Sequence, residues 1–315
     1  MIFHFKTYTM SLRIFQIIVF LFSYTHFVTF AQESNEETYN EEETTVKSKR
    51  FHAGIYVGSY FANNKTAYVY DGYGFDLGGQ RNTFYNSFMY TKIINQYGGY
   101  NGQQDLIAEA LGVQHGDWVF TESDMPVNMR YNIAFNVGLN GRFSVRDNGA
   151  IIINANASKL TAAGNFTITT VPRVNSNNLQ KTVNTFAING GEQRLAIQVG
   201  YQHLTGVADE KINFIVEGGL NATFAKFDKN AIQINSLTID LTTYYDPNLP
   251  NATAASRRPG GVGFGAFAGV GFNFNVNAKT KIQLLYSPTY EQIKVEVNPP
   301  PRLQNAIGLR LFYGL

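Results

Sequence analysis

From residue 51 to the end of the chain one device repeats: apolar side chains at every second position, with polar or small residues between them. A period of two belongs to a β-strand whose two faces meet different surroundings. Between 130 and 143 the odd positions carry Tyr131, Ile133, Phe135, Val137, Leu139 and Phe143, and the even ones include Arg130, Asn132, Asn136, Asn140 and Arg142. The same alternation runs through 195–201, 212–224 and 262–274. Adding weaker segments predicts eight strands, at 51–61, 129–145, 150–171, 191–204, 211–227, 260–276, 280–297 and 302–315. Some exceed the usual length of soluble strands. The connections at 146–149, 205–210 and 277–279 are short, whereas 62–128, 172–190 and 228–259 are long. Long and short ends therefore fall on opposite sides, with the short 298–301 connection the one departure.

The residues before the alternation carry a different signal. Lys6 and Arg13 precede an apolar stretch over 14–30, and Thr29-Phe30-Ala31 offers small residues where a signal peptidase reads, so 1–31 is expected to be a signal peptide. Met10 is an alternative start to Met1. Six glutamates within 32–50 and few apolar residues mark an acidic, disordered spacer. Charged residues are only 15% of the chain and hydrophobic ones 44%, which implies that something other than water covers part of the surface. No apolar run after the leader is long enough for a membrane helix. Cysteine is absent, which removes disulfides, thiolate metal sites and cysteine nucleophiles. The net charge of +2 falls to zero once Lys6 and Arg13 leave with the leader, so no nucleic-acid surface is implied.

A secreted, cysteine-free chain with these strands resembles an outer-membrane β-barrel of the eight-stranded, OmpA/OmpX-like kind, over residues 51–315. The last strand adds to the resemblance. Leu303, Ile307, Leu309, Leu311, Tyr313 and Leu315 alternate to the final residue and are similar to the C-terminal signal of barrel-assembly substrates, although Leu315 stands where phenylalanine is usual. The Asn- and Tyr-rich composition and the Gln at the expected mature start resemble barrel families of Bacteroidota. The resemblance implies an all-β fold: a closed antiparallel eight-stranded transmembrane β-barrel in the cell outer membrane, with loop one (62–128) as a long extracellular insertion containing short helices. It also implies a porin-like Gram-negative envelope protein whose partners are outer-membrane lipid, lipopolysaccharide and the barrel-assembly machinery. A soluble barrel or sandwich would show the same period with its apolar face turned inward.

On this register Arg130, Arg142, Arg194, Glu217, Lys281, Glu291 and Arg310 face the lumen, with Gln198, Gln202 and Asn221. An eight-stranded barrel is just wide enough for side chains to fill, so these groups are expected to form a paired polar plug, with Glu217 and Glu291 among the arginines. The expected outer rim accommodates Pro288, which cannot donate to a ladder. In loop one, Phe84, Tyr85, Phe88, Met89 and Ile93 recur at helical spacing, and 105–111 reads as a second short helix stopped by Gly112. Its aromatics Tyr68, Tyr70, Tyr73, Tyr97, Tyr100 and Trp118 are candidates for an interaction surface with a protein or glycan, with Tyr73, Tyr97, Tyr100 and Trp118 foremost; packing of the lobe and contact with the lipid interface is the competing role.

Catalysis has little to stand on. His115, Asp117, Ser123 and Asp124 are the one local cluster of triad residue types, and proximity in sequence does not make a triad. His52 and His203 fall near the periplasmic rim. No His and carboxylate spacing suggests a metal site, and no cofactor is implied. The function expected is therefore a non-enzymatic surface-interaction or structural role carried by the extracellular loops. A narrow channel or hydrophobic-ligand transporter is the alternative, suggested by the glycine-rich face of 261–271, and a lipid-modifying enzyme is a more distant third.

Overall fold

The computed structural model describes residues 51–76, 78–94, 102–171, 181–205, 211–244, 255–256, 260–277, 279–294 and 299–315. They belong to one compact unit, Ser48–Leu315. The expected signal peptide and acidic spacer lie outside the described residues, as do Tyr97 and Tyr100.

The strands are β1 (Phe51–Phe61), β2 (Trp118–Val119), β3 (Arg130–Tyr131), β4 (Ala134–Arg146), β5 (Gly149–Thr170), β6 (Thr182–Thr205), β7 (Ile212–Ile234), β8 (Leu237–Asp240), β9 (Thr243–Tyr244), β10 (Ala255–Ser256), β11 (Gly260–Asn275), β12 (Thr280–Lys294) and β13 (Arg302–Gly314). Eight of them pair antiparallel in the order β11-β12-β13-β1-β4-β5-β6-β7, and β7 pairs back onto β11 from Ile212↔Phe274 to Lys226↔Gly260. The sheet is thus a closed ring. Closure leaves no free edge, and it gives every strand a neighbour on both sides for its backbone N–H and C=O groups.

The ring has a taller side. β5, β6 and β7 run for 22, 24 and 23 residues against 13 to 16 for β4, β11, β12 and β13. Above the Lys226↔Gly260 pair, β7 turns from β11 to the short hairpin partner β8, and on the other side β2 and β3 extend β5. Much of what the sequence pattern assigned to the connections 172–190 and 228–259 is therefore strand.

One expected strand is broken, and the break moves a residue. Arg130 pairs with Ala163 and Tyr131 with Ala162, but Asn136 pairs with Ser158, an offset of one residue between β3 and β4 against the same strand. A one-residue offset turns every side chain to the opposite face. Arg130, expected in the lumen, is exposed on the outside, and Tyr131 points inward. Pro288, expected at the rim, sits within β12. The β11–β12 ladder is interrupted there between Phe267↔Thr289 and Val270↔Tyr286, and Ser287 Oγ donates to the Ala268 carbonyl (3.2 Å) inside the gap. A side-chain hydroxyl thus supplies a donor where proline has none.

Loop one folds back over the tall side of the ring. It contains short 3₁₀ turns at Asn64–Tyr70, Phe84–Asn86 and Glu122–Asp124 and two helices, α1 (Phe88–Ile93) and α2 (Gly102–Leu111), both close to the segments that the spacing predicted. Gly112 ends α2 with φ +70°, a conformation that glycine adopts without strain. Ser87 caps α1, its side chain accepting from the Tyr90 N–H.

The lobe and the tall strands share one apolar core. Tyr70, Met89, Ile93, Ile107, Trp118 and Phe120 of loop one pack with Phe166, Ile168, Ile188, Phe227 and Ile232 of the strands. Tyr70 stacks on Phe227 at 4.4 Å, and Phe120 meets Phe166 edge to face at 6.4 Å. On β5 the inward positions are one unbroken even series. Its lower members are Ala150, Ile152, Asn154 and Ser158, and its upper members are Leu160, Ala162, Phe166 and Ile168. β7 keeps its apolar upper residues inward by a bulge: Phe227 pairs with Glu192 and Lys229 with Gly191, leaving Asp228 over, so the inward series passes from odd to even.

Truncating Phe166, which is 1% exposed at the centre of this core, is expected to loosen the lobe by about 3–5 kcal/mol. Limited proteolysis of the refolded Phe166→Ala protein should cut loop one faster than in the parent while the heat-modifiable barrel band persists. Unchanged cleavage of loop one would show that the lobe does not depend on this core.

Candidate functional site

The exterior comes first, because it decides what surrounds the molecule. Outward positions on the lower ring are apolar on every strand: Ile55 and Val57, Val137 and Leu139, Ile151 and Ile153, Val199 and Ile197, Val216 and Leu220, Val270 and Phe272, Leu284, Leu309 and Leu311 are all exposed. Aromatic residues border this belt, Phe51, Phe143, Tyr201 and Tyr313 below and Phe135, Phe224, Phe264 and Tyr290 above. In water a continuous apolar band of this kind would be strongly unfavourable; in lipid it is the required surface, with aromatics at the interfaces. The molecule is a β-barrel of the outer membrane.

The lumen behind the belt is polar and filled. Arg310 and Glu217, 2% and 3% exposed, form a two-pronged pair at 2.7 and 2.9 Å. Gln202 Nε2 donates to Glu217 Oε2 (2.9 Å), Arg142 Nε donates to Gln202 Oε1 (2.9 Å), and Gln283 Nε2 donates to Asn273 Oδ1 (3.1 Å). Asn140, Asn154 and Gln198 make a second chain of side-chain amides across β4, β5 and β6. Glu291 accepts from Asn221 Nδ2 (2.8 Å) and from the Thr223 hydroxyl. A carboxylate and a guanidinium with so many donors and acceptors around them recover much of the desolvation cost that would otherwise expel them.

The glycine-rich inner face of β11 opens no passage. A Cβ at Gly269 would lie 2.6 Å from Glu217 Cγ, and one at Gly265 2.6 Å from the Glu291 Cα. The space that the glycines vacate is occupied by side chains of the adjoining strands. A cavity of about 30 Å³ lies between Tyr56, Tyr60, Asn221, Thr289 and Glu291, room for roughly two waters.

Above the cavity, a second cluster joins the barrel to the lobe. Glu192 pairs with Arg194 on the same strand, and its other oxygen accepts from the hydroxyls of Tyr70 (2.6 Å) and Tyr131 (3.2 Å). Burial, reinforced by the Glu192 charge, pushes both hydroxyls up in pKa, so both remain donors at neutral pH. The Arg194 guanidinium lies over Tyr60 and Tyr131 at 5.8 and 5.5 Å and takes the Tyr60 oxygen at 3.1 Å. Higher in the lobe, Arg81 pairs with buried Asp71 and lies 3.8 Å over the Tyr73 ring. Burial pushes the Asp71 carboxyl up, opposed by the Arg81 charge and the Tyr73 N–H.

Of the seven expected lumen residues, Arg142, Arg194, Glu217, Glu291 and Arg310 are buried in the lumen, Lys281 is half-buried there, and Arg130 is outside. Glu217 lies with an arginine as expected, whereas Glu291 is held by an amide and a hydroxyl. Trp118, a candidate for the loop-one interaction surface, takes the competing packing role: it is 7% exposed, β2 pairs it with Thr170 and its ring lies in the lobe core; Tyr73 is half-buried beneath Arg81. Tyr70, another of the loop-one aromatics, is fully buried, and the structure adds Glu192, which the pattern did not single out. Glu192 and Arg194 share one face of a strand at i and i+2, a signal that was present but fell at the expected end of the strand.

The triad-type cluster is spread over separate partners. His115 Nδ1 meets Asp105 (2.7 Å), Ser123 meets the Thr121 hydroxyl (2.8 Å), and Asp124 caps Thr121. Among the described residues no group of three His, Cys, Asp or Glu could hold a metal ion.

No family model matches the chain, and no curated protein matches it. Solved structures that resemble it include Neisserial surface protein A (5% identity, covering 84% of this chain and 96% of that one, TM-score 0.37). Ail, the attachment invasion locus protein of Yersinia pestis, aligns at 9% identity over 84% of this chain and 98% of that one, TM-score 0.33. The outer membrane protein OprG from Pseudomonas aeruginosa aligns at 9% over 85% and 97%, TM-score 0.34. At these scores the architecture rests on the chain's own closed ladder and apolar belt.

Replacing Glu217 by glutamine leaves the buried Arg310 without a countercharge and is expected to cost about 3–5 kcal/mol. The Glu217→Gln/Arg310→Met pair should recover most of that loss. Urea unfolding in detergent or liposomes, followed by the heat-modifiable gel shift, measures both; a single variant as stable as the parent would show that the pair carries no weight in the plug.

Proposed function

We propose that this protein is a plugged outer-membrane barrel whose working part is the folded lobe it holds above the membrane, in a structural or surface-interaction role. The observation that carries this reading is that the lumen is closed twice, by the Arg310–Glu217–Gln202–Arg142 network and by the Glu192–Arg194–Tyr70–Tyr131 latch beneath a packed apolar lid. A barrel built to conduct would not invest its longest loop in sealing its mouth. The partner at the lobe is a protein or glycan of the outside medium, and barrel-assembly machinery acts on the last strand, β13. Neighbouring lipid and lipopolysaccharide surround the belt. The leader at 1–31, the acidic spacer and the likeness to Bacteroidota barrels complete this reading of a surface protein of a Gram-negative envelope. The reading includes no enzymatic activity.

A narrow channel is the second reading, favoured by the cavity between the two closures. Planar bilayer recording separates the two. The plugged barrel should give no reproducible single-channel steps, and Glu217→Gln should not create them; regular steps in the parent protein that change with Glu217→Gln would establish conduction instead.

A further inference from the structure

The outward series of β5, β6 and β7 change character at one cross-strand row. Ala157, Leu195 and Phe224 are partners across the three strands and form the last apolar row of the belt. The next row upward is Lys159, Gln193 and Lys226, all exposed. One step higher the β7 bulge presents Lys229, also exposed, opposite Gly191; a Cβ at Gly191 would lie 3.2 Å from Lys229 Cγ, so the lysine stem lies across the glycine. Asp228, the bulged residue, is the carboxylate within this patch, 3.5 Å from Lys159, and it leaves three lysines against one acid.

Two features distinguish this patch from an ordinary solvated surface. It begins where the lipid-facing belt ends, so its ammonium groups stand at the level of lipid headgroups on the long-loop side. It is also borne on paired strands, which hold the stems of Lys159 and Lys226 in register on either side of Gln193. From this placement we infer that the outer face of β5–β7 at Lys159, Gln193, Lys226 and Lys229 binds the phosphorylated headgroup of an outer-leaflet glycolipid. The inference rests on the membrane reading above and adds to it a fixed lipid partner at a fixed side of the barrel. Each lysine supplies a charge-assisted donor to phosphate oxygens and Gln193 a neutral one, while acyl chains below run along Leu195 and Phe224. The bulge has a use in this arrangement. By adding one residue it turns Ile232 and Ile234 into the lobe core and leaves Lys229 outside.

The test uses the full processed chain, refolded in a zwitterionic detergent and titrated with bisphosphorylated lipid A or with the same lipid after enzymatic removal of its phosphates. The parent should bind the phosphorylated form more tightly, with the preference shrinking as salt rises. Each of Lys159→Gln, Lys226→Gln and Lys229→Gln should weaken binding about fivefold, and the triple variant on the order of a hundredfold. Asp228→Asn should strengthen it. Equal binding of the two lipids, or a triple variant that binds like the parent, would overturn the site. Inorganic phosphate at millimolar concentration should not displace the lipid; full displacement would mark a free-anion site and overturn the lipid assignment. All substituted residues are on the water-facing side, and heat-modifiable migration reports whether each variant folds. A chain soluble without detergent would instead refute the membrane reading itself.

Discussion

Hydrocarbon cannot hydrogen-bond to a peptide group, and nearly every feature of this molecule follows from that constraint. A strand in lipid must find its partners on other strands, so the sheet closes through the β7–β11 ladder from Ile212↔Phe274 to Lys226↔Gly260. Once the ring is closed its outward side chains must be greasy, and the polar ones have only the lumen. There the same constraint acts again. With little water inside, Arg142, Arg310 and Glu217 are held by one another and by glutamine amides. Even the proline in β12 is absorbed within this economy of partners, with Ser287 donating into the gap.

Above the membrane the solvent changes and the strands invert. β5 shows this on an unbroken register: outward Ile151 and Ile153 give way to Lys159 and Thr161, while inward Asn154 and Ser158 give way to Phe166 and Ile168. The tall side of the barrel is thus an ordinary water-exposed sheet that needs an apolar cover. Loop one is that cover, which explains why Tyr70, Phe84, Trp118 and Phe120 are inside. The Glu192 cluster lies where the two regimes meet, tying a lumen arginine to two lobe tyrosines.

Most of this architecture is legible in the sequence because period two persists whichever medium surrounds the strand. Eight strands, the sides of long and short connections and both loop-one helices follow from spacing alone. Six of the seven lumen residues also follow, since Arg142, Arg194, Glu217, Lys281, Glu291 and Arg310 lie on stretches of strand whose inward and outward alternation is not shifted. Arg130 does not, because an offset between two short stretches of one strand leaves the pattern of apolar positions intact while reversing its direction. Trp118 and Tyr73 were open to either role, since an aromatic residue in a long loop serves packing and recognition equally well. The upper reaches of β6 and β7 read as loop because residues such as Thr185, Asn189, Lys229 and Gln233 are polar on the water side, where a membrane strand would be greasy.

The central claim is that the outer face of the ring passes from lipid to water between Ala157 and Lys159 while the inner face passes from polar to apolar. The chain has no cysteine, so single nitroxide labels can be placed without background. In liposomes, labels at Ile153→Cys, Ala157→Cys, Thr161→Cys and Thr167→Cys, all outward on β5, should divide sharply. The first two should relax with oxygen dissolved in the bilayer and the last two with a water-soluble nickel chelate. Equal access of the chelate to all four positions would contradict the account, as would oxygen-dominated relaxation at Thr167.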